Sequence, residues 1–83
     1  MSRPSGKLKV YTTSWCPDCK VAKTFLELHN VEYEEFNIDS DKEAEAFVME
    51  VSGGRRVIPT FDSDGRIFLN PSMSVLAREL NLT

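Results

Sequence analysis

The chain has 83 residues, enough for one small domain, and its 41% hydrophobic and 28% charged content is typical of a globular protein. A net charge of -3 argues against a nucleic-acid-binding protein, because such proteins usually carry a basic patch. No apolar run approaches the roughly 20 residues of a membrane span, and the N-terminus lacks the apolar segment of a secretory signal. We therefore expect a cytoplasmic protein with a disordered leader at residues 1–6 and one domain at residues 7–83.

The first strand and helix are predicted on either side of the sequence TSWCPDCK. Residues 7–12 alternate polar and apolar side chains, as in a strand with one buried face. Pro17 suits the first turn of a helix, which we expect to end near His29 or Asn30. The apolar residues that recur at helical spacing along it are Val21, Ala22, Phe25, Leu26 and Leu28.

A second strand and helix follow in the same order. Residues 32–38 predict the strand, and Ser40 and Glu43 match the capping-box pattern at the start of a helix. Residues 52–54, Ser-Gly-Gly, end this helix. A strand, a helix and a second strand in this order favour parallel pairing of the two strands.

The last third of the chain predicts a hairpin and a helix. Strands near residues 60–62 and at residues 66–69 flank the turn sequence Ser-Asp-Gly. Asn70 or Ser72 would cap the final helix. The predicted fold is α/β, with the order βαβαββα and a mixed four-stranded sheet flanked by helices.

The two cysteines of the chain, Cys16 and Cys19, are the candidate reaction centre. Cys16 lies where a strand ends and a helix begins, and the free N–H groups there stabilise a thiolate, the nucleophile of disulfide exchange. Cys19 is one helical turn further on, so it suits the role of the resolving thiol. Asp18 opposes thiolate formation and Lys20 favours it, and both are expected to face solvent.

Two other interpretations of the cysteine pair remain open. A structural zinc site needs four ligands, and one Cys-x-x-Cys motif supplies two, so zinc or an iron–sulfur cluster would require a dimer. Such a dimer would act as a metal or cluster carrier or sensor. A non-enzymatic binding module with a permanent disulfide is the second interpretation. The only histidine, His29, is too far along the helix to be a ligand.

A second candidate element is Ile58-Pro59-Thr60, which follows a glycine-rich loop. Proline cannot donate to a sheet, so Pro59 belongs at a strand start or edge. If its peptide bond is cis, the backbone of Ile58 faces Cys16 and can pair with an extended substrate. We also expect Arg55 or Arg56 to grip a substrate carboxylate. The set of predicted substrate-binding residues is Trp15, Pro17, Arg55, Ile58, Pro59 and Thr60.

These features together resemble the glutaredoxin/thioredoxin superfamily from Lys7 to Leu80. The chain is most similar to mycoredoxins and related glutaredoxin-like proteins, through TTSWC, the segment from Gly53 to Thr60, and Asn70-Pro71-Ser72. The resemblance implies a thiol–disulfide oxidoreductase in which Cys16 attacks and Cys19 resolves, with a cis proline at Pro59 beside them. It implies no bound cofactor or metal.

Two departures from the family pattern bear on the reductant. Many glutathione-using glutaredoxins carry a lysine where this chain has Thr13, and a Gly-Gly-acidic segment where it has residues 68–72. These differences argue against glutathione and leave mycothiol, another small thiol, or a thioredoxin-reductase-like flavoprotein as the donor. We expect a monomer that acts on disulfide-bearing proteins or protein–small-thiol mixed disulfides.

Overall fold

The computed structural model describes residues 8–82 and contains the predicted element order. Its elements are β1 (Leu8–Thr12), α1 (Pro17–Leu28), β2 (Tyr33–Asn37), α2 (Lys42–Val51), β3 (Thr60–Ser63), β4 (Arg66–Leu69) and α3 (Met73–Glu79). The predicted leader, the first residue of the predicted first strand, and Thr83 lie outside the described residues.

The sheet has the strand order β2-β1-β3-β4. β1 pairs in parallel with β2 and antiparallel with β3, and β3 pairs antiparallel with β4, which confirms the mixed sheet. Because β1 and β2 are parallel, their carboxyl ends lie at the same edge. The segments that follow them, one of which contains both cysteines, are therefore neighbours in space.

Side chains of β1 alternate between the two faces of the sheet, so the core has one part on each face. Leu8 and Val10 face a cluster formed with α1 and α3, while Tyr11 faces α2. The first cluster consists of Leu8, Val10, Ala22, Leu26, Phe61 and Leu76. The second consists of Tyr11, Ile38, Ala44 and Val48. The first cluster packs α1 against the sheet, and the two cysteines lie at the N-terminus of this helix.

The tight turn between β3 and β4 agrees with the prediction. Asp64 and Gly65 both have positive φ angles, of 53° and 91°, which a two-residue hairpin turn of this type requires. Gly65 adopts this conformation without the steric penalty of a side chain. In residues 8–82, no helix combines the length and the hydropathy needed to cross a bilayer.

One sequence-based prediction is wrong in detail. The N-cap of α2 is Asp41, whose Oδ1 accepts from the backbone N–H of Ala44 over 3.1 Å, so Ser40 and Glu43 do not form the capping box. Leu28 has helical spacing from the buried residues of α1, yet 77% of it is exposed, because it lies in the last turn beyond the sheet-facing stripe. Ser72, one of the two predicted caps of α3, is the observed one.

Candidate redox-active site

The two thiols lie at the start of α1, where Cys16 is the N-cap residue and Pro17 occupies the first turn. The backbone N–H of Cys19 donates a hydrogen bond to Sγ of Cys16 over 3.2 Å. Sulfur therefore takes the place of the oxygen that usually caps a helix. Both thiols are free, and the exposed fraction falls from 5% for Cys16 to 0% for Cys19.

Burial raises the pKa of the Cys19 thiol to about 12, and its hydrogen bond to Cys16 acts in the same direction. A backbone hydrogen bond from Thr13 and the positive charge of Lys23 oppose this rise in pKa. Cys19 is therefore protonated at neutral pH. Its backbone N–H and its S–H are both directed at the sulfur of Cys16, so two donors from one residue can stabilise negative charge there.

The proline element lies at the start of β3. The Ile58–Pro59 peptide is cis, as the family resemblance implied, and Pro59 is buried. The hydroxyl of Thr60 donates to the carbonyl oxygen of Val57 over 2.6 Å. This bond ties Thr60 to its own loop, so its side chain is already partnered within the protein.

A cavity of about 310 Å³ joins the cysteine motif to the proline element. Asp18, which lies between the two cysteines, and Pro59 both line it. The other lining residues are Val21, Asn70, Pro71, Ser72 and Met73. Two segments that are far apart in sequence therefore meet at one concave surface beside the thiols.

Trp15, next to Cys16, is held by a side-chain network. Its indole Nε1 donates to Oδ2 of Asp39 over 2.9 Å. Arg56 donates to the other oxygen of Asp39 over 2.5 Å and, through Nε, to Glu45 over 2.9 Å. The hydrogen bond from Arg56, followed by that from Trp15, lowers the pKa of Asp39 below its ordinary value. Asp39 is thus a carboxylate that holds two donors at once.

The two arginines of the loop before β3 have different surroundings. The Nε of Arg55 donates to the carbonyl oxygen of Ser52 over 3.2 Å, and its backbone N–H donates to the Ser52 hydroxyl over 3.0 Å. These bonds place Arg55 at the end of α2. Arg56, rather than Arg55, is linked through Asp39 to Trp15, the residue before Cys16. Substrate binding by Arg55 stays a prediction.

Sequence reasoning missed Asp39 and Glu45 as parts of this site. A signal for Asp39 was present, because it follows the parallel strand β2 by two positions and must lie at the same sheet edge as Trp15. Glu45 lies within α2, and nothing in its sequence context indicates that it reaches Arg56.

Within residues 8–82, no group of three or more His, Cys, Asp or Glu residues is placed to hold a metal ion. Cys16 and Cys19 can supply two of the four ligands usual for zinc, so a metal or cluster site requires a second chain.

Comparison with known proteins identifies the family. The glutaredoxin family model matches residues 8–68. A Mycobacterium tuberculosis protein, provisionally named a glutaredoxin, is 39% identical over 77 residues, which are 92% of this chain and 92% of that protein. Mycoredoxin 1 of Corynebacterium glutamicum is 38% identical over 67 residues, covering 80% of this chain and 82% of that relative.

Solved structures give the same result for the fold. The crystal structure of a thioredoxin-like protein matches with a TM-score of 0.77 and 31% identity, over 93% of this chain and 100% of the other. The glutaredoxin of Archaeoglobus fulgidus matches in fold, with a TM-score of 0.78 and 24% identity over 89% of this chain and 85% of that one. The predicted thioredoxin-like, glutaredoxin-type fold is confirmed. Fold and family support thiol–disulfide oxidoreductase activity in general, and the chain belongs to the glutaredoxin family.

Proposed function

We propose that the protein reduces protein disulfides, or mixed disulfides between a protein and a small thiol, through Cys16 and Cys19. The observation that carries this proposal is the 3.2 Å hydrogen bond from the Cys19 backbone to Sγ of Cys16, which places both thiols at one helix N-terminus. A thiolate at that position is stabilised by the helix dipole and by the donors of Cys19.

The reaction runs in two exchange steps. The Cys16 thiolate attacks one sulfur of the substrate disulfide, forms a mixed disulfide with it, and releases the other sulfur as a thiolate that takes up a proton. Cys19 then loses its proton and attacks Cys16, which forms the Cys16–Cys19 disulfide and releases the second substrate thiol. Two electrons pass from the protein to the substrate, and a donor must restore both thiols.

The monothiol route is the alternative second step. A small thiol attacks the mixed disulfide on Cys16 in place of Cys19, so this route does not need Cys19. Cys19 is buried and its pKa is raised to about 12 in the reduced protein, so it must lose its proton before it can attack in the dithiol route. The partition between the two routes therefore depends on the concentration of the small thiol.

Two features of the site bear on which small thiol is the donor. Thr13 is neutral and only 2% exposed, so it does not present a positive charge to a glutathione carboxylate as a lysine there would. The cavity beside Pro59 is lined by Asp18, Asn70 and Ser72 among its polar residues, and Asp18 repels carboxylates. Together with the similarity to mycoredoxin 1, this supports mycothiol over glutathione as the donor.

The predicted contacts with the substrate are part of this proposal. Trp15 and Pro17 flank Cys16 on the surface, and the backbone of Ile58 offers an edge for an extended substrate. Pro59 and Thr60 shape the far side of the site. Arg55 is the remaining proposed contact. A cytoplasmic location remains a prediction as well.

The test is NADPH-coupled reduction of a protein–small-thiol mixed disulfide with three donors in parallel. They are glutathione with its reductase, mycothiol with its reductase, and thioredoxin reductase alone. Turnover with one donor that disappears in Cys16→Ser supports the proposal and identifies the pathway. Cys19→Ser should keep monothiol turnover and lose reduction of protein disulfides by the dithiol route. Turnover retained in Cys16→Ser contradicts the proposal, and failure with every donor directs attention to a metal-bridged dimer.

A further inference from the structure

The only tryptophan of the chain, Trp15, is exposed although it lies beside the buried Cys16. Its exposed fraction is 63%, so most of the ring is in contact with water. Its one polar atom, the indole N–H, is nevertheless paired with Asp39 over 2.9 Å. The ring is therefore held in one orientation while its apolar surface is left open.

Three segments of the chain contribute to this restraint. Trp15 belongs to the turn after β1, Asp39 to the turn after β2, and Arg56 to the loop before β3. Arg56 is anchored in turn by Glu45 on α2, at 2.9 Å. Asp39 is the only member that contacts both the indole and the guanidinium, so its loss would release Trp15 from the other two groups.

Stability gives little reason for such a network. The side chains of Arg56 and Asp39 are 41% and 40% exposed, and solvent screens ion pairs at that exposure, so this pair contributes little to stability. An exposed indole next to a reactive sulfur also leaves apolar surface unburied. Both features are explained if the ring is covered by a partner, since rigid, exposed tryptophans are common binding hot spots.

We infer that Asp39 is a positioning residue for protein substrates: it fixes the Trp15 indole as a docking face for the apolar side chain that flanks a substrate disulfide. The partner is a disulfide-bearing protein, because Trp15 directly precedes Cys16, the residue that such a substrate must reach. A small disulfide has no flanking side chain and gains nothing from the ring. This inference rests on the proposed function and adds a basis for substrate choice.

The experiment compares two oxidants of the reduced protein, insulin and bis(2-hydroxyethyl) disulfide. Second-order rate constants for oxidation are measured by rapid quenching with an alkylating agent and mass spectrometry. Asp39→Ala should slow the reaction with insulin about tenfold and change that with the small disulfide less than about twofold. The control Glu50→Ala removes the same charge from an exposed position of α2 and should change neither rate.

A double-mutant cycle separates positioning from general damage. In a Trp15→Phe background the ring no longer has an N–H for Asp39, so adding Asp39→Ala should cost less than about twofold with insulin. Equal losses in both backgrounds, or equal losses with both oxidants, would overturn the inference. If the unaltered protein is oxidised by neither disulfide, the proposed function itself fails and the inference fails with it.

Fluorescence tests directly whether Asp39 restrains the Trp15 ring. Trp15 is the only tryptophan, so emission anisotropy reports its mobility directly. Asp39→Ala should lower the anisotropy and increase quenching by acrylamide, whereas Glu50→Ala should leave both unchanged. Arg56→Lys keeps the positive charge beside Asp39 but has one donor nitrogen instead of a guanidinium. The changes in anisotropy and in quenching should therefore be smaller than those in Asp39→Ala. Unchanged anisotropy in Asp39→Ala would contradict the inference even if insulin reacted more slowly.

Discussion

The backbone N–H of Cys19 donates to Sγ of Cys16 over 3.2 Å, so the second thiol helps to hold the first in place. The same helical turn buries Cys19 completely while Cys16 keeps a small exposed fraction. A reagent in solution therefore meets Cys16 first. One turn of helix gives two chemically identical residues different exposure, which fits the proposed roles of Cys16 as the attacking thiol and Cys19 as the resolving thiol.

Alkylation should distinguish the two thiols. In the reduced protein at about pH 7 to 8, iodoacetamide should modify Cys16 and leave Cys19 intact, because thiolates are the reactive form. With a pKa of about 12, roughly one Cys19 in ten thousand is ionised at pH 8. Peptide mass mapping over time measures both rates. In urea-unfolded protein both cysteines should react, and comparable rates in the folded protein would refute the expectation.

The raised pKa of Cys19 also predicts a loss of stability at high pH. Its ordinary value is 9.0 and its folded value is about 12. The unfolded chain therefore releases the proton first, so the folded state is favoured fully below about pH 9 and loses this contribution as the pH rises toward 12. Urea midpoints of the reduced protein should fall across that range.

The Cys19→Ser variant isolates this effect, because serine does not ionise there. The pKa of Tyr33 is also raised to about 12, first by burial, and that of Tyr11 is raised as well, so both proteins should lose some stability. The loss should be larger in the unaltered chain. If the urea midpoints of the two proteins fell equally with rising pH, burial of Cys19 would not govern alkaline stability.

Much of the fold could be predicted from local patterns. Three local patterns each predicted one element that the structure contains. They are the alternation in β1, the proline at the start of α1 and the Ser-Asp-Gly turn. Contacts between side chains that are far apart in sequence were harder to predict. The bond between Arg56 and Asp39 depends on the lengths of two loops, and neither residue type indicates its partner.

The choice of cap for α2 was decided by the turn before it. Ser40 and Asp41 are both good capping residues, so the sequence leaves two starts open. The carbonyl oxygen of Asn37 accepts from the backbone N–H of Ser40 at 3.2 Å and of Asp41 at 3.0 Å, and from the Ser40 hydroxyl at 3.4 Å. The N–H and the hydroxyl of Ser40 are thus engaged in the turn, and Asp41 caps the helix.

The two caps can be compared directly by mutation. Asp41→Ala should lower the free energy of unfolding by about 1 kcal/mol, because it removes the acceptor for the N–H of Ala44. Ser40→Ala should change it by less than about 0.5 kcal/mol. Urea denaturation measures both. A larger loss for Ser40→Ala would restore the cap first predicted from the sequence.

A second matched pair lies on α1. Leu26 is completely buried in the cluster between α1, α3 and the sheet, whereas 77% of Leu28 is exposed. Leu26→Ala should lower the free energy of unfolding by about 2 to 5 kcal/mol, because it removes apolar contacts and leaves a cavity. Leu28→Ala removes the same side-chain atoms from the surface, so it should lower the free energy of unfolding by less than about 0.5 kcal/mol.

This pair also tests how α1 carries the thiols. Helix α1 is held to the sheet by Ala22 and Leu26, and Cys16 caps the same helix. Loosening the helix at Leu26 should therefore expose Cys19 as well as lower stability, and its alkylation at about pH 8 should become measurable. Leu28→Ala should leave Cys19 protected. If Cys19 stayed protected in Leu26→Ala while the urea midpoint fell, its burial would depend on the first turn of α1 alone.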